Sequence, residues 1–126
     1  MHGRLNVTLA VIARAHDALD DVVRCLKQAG ARVYVVLHLE QATLVAEGAD
    51  AAVLFADDYP LDRTLEVVTQ LSVNLVIVVT ADASAFRASM AQGPQRSRVL
   101  ILPRQGWHLT LVAAIRRGLP VRIGEA

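Results

Sequence analysis

The chain has 126 residues, 54% of them hydrophobic and only 4% aromatic, enough for one domain with a full core of Val, Leu, Ile and Ala. A formal charge of +1 gives no global field to draw nucleic acid or an acidic membrane surface. The single cysteine, Cys25, excludes an internal disulfide, and the opening apolar run is too short to span a membrane and lacks a convincing signal-peptide cleavage site, so a cytoplasmic protein is expected.

The first run, VTLAVIA at 7–13, is nearly continuous rather than alternating, which predicts a strand buried on both faces. From Asp17 to Ala29 apolar side chains recur every three or four positions (Ala18, Leu19, Val22, Val23, Leu26), which predicts a helix. Asp17, Asp20 and Asp21 suit its amino end, Lys27 its carboxyl end, and Gly30 its stop. VYVVL at 33–37 is a second strand, and LEQATLVAE at 39–47, closed by Gly48, a short second helix. AAVLFA at 51–56 is the third strand, running into Asp57, Asp58 and Pro60 before a helix at 61–72 with Leu61, Leu65, Val68 and Leu71. LVIVVT at 75–80 is the fourth strand, and the helix after it, 83–92, has only Phe86 and Met90 as large apolar residues. VLIL at 99–102 is the fifth strand. The last helix, 106–117, carries Leu111, Val112 and Ile115 on one face and ends at Gly118-Leu119-Pro120.

Strands alternating with helices at this spacing predict an α/β fold, a (βα)5 doubly wound parallel sheet in the flavodoxin-like order 2-1-3-4-5. The domain spans 1–120 and residues 121–126 are read as a tail. Such sheets bind ligands at the carboxyl ends of their strands, near the switch in strand order. Those ends read Ala13-Arg14, Ala56-Asp57-Asp58, Thr80-Ala81 and Leu102-Pro103.

Thr80-Ala81, Pro60, Pro103 and Gly30 lie where several anchors of one family lie. Over nearly its whole length the chain resembles the receiver domain of bacterial two-component response regulators. That family holds Mg²⁺ with two acidic residues after strand one. It accepts a phosphoryl group on an aspartate ending strand three, four residues before a proline. A Thr or Ser before Ala ends its fourth strand, and a Lys-Pro pair ends its fifth. Aligned on these anchors, Ala13 and Arg14 replace the acidic pair, Ala56 the phosphoacceptor and Leu102 the lysine, and Val99 stands in place of the switch aromatic. Thr80 alone matches.

Each replacement removes a separate part of the chemistry. Mg²⁺ wants about six oxygen ligands, several of them anionic; Ala13 offers none and Arg14 adds a positive charge. Ala56 has no nucleophile, and Leu102 cannot balance a phosphoryl charge. The resemblance therefore implies a degenerate member, a pseudo-receiver. Such a module is not an enzyme and has no cofactor or metal; it acts by protein contact or dimerisation with its conformation set by sequence.

Two other readings stay open. Asp57 can serve as a divergent phosphoacceptor with Mg²⁺ if the strand slips by one residue or bulges, or the pocket left by Ala13, Ala56 and Leu102 can take an uncharged metabolite. For Asp57 and Asp58 the favoured reading is a solvated acidic turn, and for Thr80 a hydrogen-bonded strand end. Arg14 is a candidate partner for Asp57, Asp58 or Asp82. His2, His16, His38 and His108 have no metal-ligand spacing, Cys25 reads as packing, and no GxGxxG or GxxxxGK[ST] stretch is present. Arginines accumulate late, at 87, 96, 98, 104, 116, 117 and 122. Arg87, Arg98, Arg104 and Arg116, with Trp107, mark a face of the fourth helix, fifth strand and fifth helix for a protein partner or a second copy. With no helix-turn-helix following, direct nucleic-acid binding is not expected.

Overall fold

The computed structural model describes residues 5–14, 17–90 and 98–119. Five strands, β1 (Thr8–Ile12), β2 (Arg32–Val36), β3 (Ala51–Phe55), β4 (Leu75–Thr80) and β5 (Arg98–Pro103), form one parallel sheet in the order β2-β1-β3-β4-β5. Between them run α1 (Asp17–Gln28), α2 (Ala42–Ala46), α3 (Leu61–Gln70), α4 (Ala83–Met90) and α5 (Trp107–Gly118). This is the expected α/β architecture and strand order.

Side chains alternate faces along each strand, which divides the core in two. Leu9, Val11, Val53, Phe55, Ile77 and Val79 pack with α1 and α5. Ala10, Ile12, Leu54, Val76 and Val78 pack on the other face with residues of α2, α3 and α4. The interior strands β3 and β4 are buried at every position, and β1 at all but its first, which is why their sequences read as continuous apolar runs. The edge strands are less covered, β2 most of all.

Local signals explain most boundaries. Gly30 closes α1 at φ +97°, with Ala31 N–H donating to the Leu26 carbonyl and Gly30 N–H to that of Lys27, the paired bonds that let a glycine end a helix. Asp82 opens α4 by accepting the Ala85 N–H at 3.0 Å. Two predicted elements differ. Residues 39–47 divide into a 3₁₀ turn, Leu39–Gln41, and the short α2, and neither His38 nor Gln41 supplies a side-chain cap. Ala56 leaves the third strand and begins a 3₁₀ turn, Ala56–Asp58.

His2, His16, Arg96, Arg122, the tail at 121–126 and the predicted end of the fourth helix at 91–92 lie outside the described residues. Among the described residues no helix is long and apolar enough to cross a membrane.

Candidate functional site at the strand tips

The register places the carboxyl ends of the inner strands side by side. Phe55 pairs with Val79 and Thr80 with Pro103. One residue further, Arg104 N–H donates to the Thr80 carbonyl at 2.9 Å. Thr80 is 4% exposed, one of the two buried polar residues among those described, and such a hydroxyl needs a partner.

That partner is Asp57. Thr80 Oγ1 donates to Asp57 Oδ1 at 2.8 Å, and the Ala81 N–H donates to Oδ2, also at 2.8 Å. Arg104 Nη1 lies 3.4 Å from the same Oδ2. Asp57 stands in an exposed turn, as expected, but its carboxylate is engaged: the side chain is 28% exposed, and its two oxygens take a hydroxyl, an amide and a guanidinium. Strand alternation predicts that a carboxylate one residue past Ala56 points away from the pocket. The strand has already ended, however, and a 3₁₀ turn rotates successive side chains by about 120° rather than reversing them. This rotation brings Asp57 back over Thr80.

Asp58 turns the other way and accepts the Arg14 N–H at 3.0 Å, tying the end of β3 to the end of β1. The Arg14 guanidinium lies over the Tyr59 ring, 5.8 Å from its centroid, within reach of a cation–π contact. The cation that reaches Asp57 is Arg104 instead, one residue past Pro103. Tyr59 donates its hydroxyl to the Leu37 carbonyl at 2.9 Å. Burial, aided by the nearby Asp58 carboxylate, pushes its phenol up to about 12. Among the described residues no three His, Cys, Asp or Glu side chains converge where they would hold a metal ion.

The three apolar replacements divide between the two halves of the core. Ala13, fully buried, packs in the α1/α5 half of the core, where Leu102 joins it, whereas Ala56 packs in the other half. The late arginines also separate. Arg87 and Arg98, with Arg117, surround a groove floored by Met90, Leu100 and Ala114 along the open edge of β5. Arg116 is exposed outside that lining. Trp107 packs on the core, its ring edge-on to Phe55 with centroids 5.8 Å apart.

No family model and no curated protein matches the chain. Among solved structures it is similar to a double mutant of the anti-anti-sigma factor PhyR from Bartonella quintana. The two are 13% identical, with a TM-score of 0.56 over 88% of this chain and 49% of that one. The fold is receiver-like. At that identity the similarity speaks for architecture, and the chain spans about half the length of the PhyR chain it matches. The Asp57–Thr80–Arg104 cluster is what sequence reasoning missed. Its visible signals were Thr80 itself and a cation directly after Pro103, two residues past the place the family gives to lysine.

Proposed function

We propose that this chain is a non-catalytic signalling module of the receiver type. It works by protein contact on the α4–β5–α5 face, and its strand tips are held by Asp57 in place of a phosphoryl group. The observation that carries this reading is the Asp57 carboxylate, which takes the Thr80 hydroxyl, the Ala81 N–H and Arg104 together. An anion accepting a strand-end hydroxyl, the next amide and a nearby cation is the arrangement a phosphoryl group on the third strand would require. Here the side chain itself supplies the acceptor, so the hydroxyl is paired without any transfer reaction.

Phosphorylation of Asp57 is the less favoured reading. Both of its oxygens are engaged, and Asp58 faces the Arg14 amide rather than standing beside it as a metal ligand. A groove ringed by Arg87, Arg98 and Arg117 over an apolar floor supports contact with an acidic protein surface.

Incubation with Mg²⁺ and beryllofluoride, followed by amide NMR, tests the reading. We expect the resonances of residues 57, 80 and 81 to stay in place, and acetyl phosphate with Mg²⁺ to leave the intact mass unchanged. Saturable shifts at those residues, or the mass gain of one phosphoryl group, would overturn it.

A further inference from the structure

The opposite margin of the sheet carries a second surface. Arg32 N–H donates to the Val7 carbonyl and the Val36 carbonyl accepts the Ala13 N–H, so residues 32, 34 and 36 turn their backbone groups toward β1. By alternation, Val33 and Val35 turn theirs outward along the open edge. Tyr34 is 53% exposed, Val35 44% and Leu37 41%, and no proline, lysine or acidic residue interrupts 33–37. Edge strands usually carry such a guard; β2 has one cation, the exposed Arg32 at its first position, and beyond it presents bare backbone flanked by apolar side chains.

We infer that β2 pairs antiparallel with β2 of a second copy of this chain, about a two-fold axis at Tyr34. Val33 and the partner's Val35 then exchange both of their backbone hydrogen bonds, and the symmetric pair does the same. The charges beside the strand favour this occupant. Leu19, Val23, Val35 and Leu37 line a shallow groove between α1 and β2, with Asp20 at one end, Lys27 at the other and Arg24 between. Asp20, Val23, Arg24 and Lys27 are spaced to share one helix face. Reversing one copy against the other sets Asp20 opposite the partner's Lys27 at both ends, while Arg24, nearer the axis, has Asp21 of its own helix 3.9 Å away, so the two ends are complementary. Because α1 and β2 share that groove, pairing the strands also brings the two α1 helices toward each other. A closed two-fold pairing also covers both exposed edges at once.

This goes beyond the signalling reading and does not depend on it, because the α4–β5–α5 face stays free in such a dimer. Sedimentation equilibrium on the full chain should give the dimer mass, and Val35→Lys the monomer mass with an unchanged circular dichroism spectrum. Lys27→Glu and Asp20→Lys change exposed charges without touching the core. Each alone should lose the dimer at concentrations where the unmodified chain is dimeric, and mixing the two variants should restore it. A chain that is monomeric throughout, as it would be if β2 awaited a strand from another protein, overturns the inference. So does a dimer that survives Val35→Lys, or single variants that fail to re-associate on mixing.

Discussion

Thr80 and Arg104 both contact the Asp57 carboxylate, yet their contributions differ. The hydroxyl bond is short, at 2.8 Å, and its donor is buried; a hydrogen bond to a charged acceptor contributes about 1.5–3 kcal/mol. The guanidinium contact is longer, at 3.4 Å, and its side chain is 55% exposed, a setting in which ion pairs contribute about 0–1 kcal/mol. The tip is therefore held chiefly by Thr80 and the Ala81 amide, with Arg104 supplying charge balance. Thr80→Val, which keeps the branched shape and removes the donor together with the oxygen that accepts the Asp82 N–H at 3.4 Å, should cost about 1–3 kcal/mol in urea unfolding. Arg104→Ala should cost under about 1 kcal/mol. The reverse order would show that the cation, not the hydroxyl, secures the carboxylate.

At the scale of elements, helix period and strand burial were legible because each is a repeated signal. The face of α1 and the three inner strands follow from their apolar spacing alone, and Gly30 marks the end of α1 through its positive φ. What spacing could not reveal is how closely two elements approach. Gly118, the last residue of α5, lies against Leu75 at the start of β4; a Cβ added there would sit 2.6 Å from Leu75 Cδ2. Leu75 is fully buried, so its side chain has little space to withdraw. Helix propensity alone predicts that Gly118→Ala gains up to about 1 kcal/mol, while overpacking a core contact costs about 1–3 kcal/mol. The contact should prevail, and the variant should unfold at a lower urea midpoint. A raised midpoint would mean that Leu75 rotates away freely.

For the whole molecule, the site was legible in its location but not in its wiring. Ala13, Ala56 and Leu102 could be picked out as strand-end positions from the sequence, where the receiver resemblance implies charged groups. The reach of Asp57 depended on a 3₁₀ turn that spacing does not announce. That wiring is confined to one side of the sheet: Asp57 touches the tips of β4 and β5, and the Arg104 amide returns to Thr80. The β2 edge lies on the far side, separated by β1 and β3. Packed interiors transmit a local change through contiguous contacts, so removing the carboxylate should be felt where those contacts lead. In amide NMR of Asp57→Ala, the largest shifts are expected at Ala81, Asp82 and Arg104 and in the first turn of α4, whose cap is Asp82. Tyr34, Val35 and α1 should keep their positions, and the sedimentation mass should not change. Shifts of equal size at the β2 edge, or a change in association, would show that the sheet answers as one body and that the two surfaces are coupled.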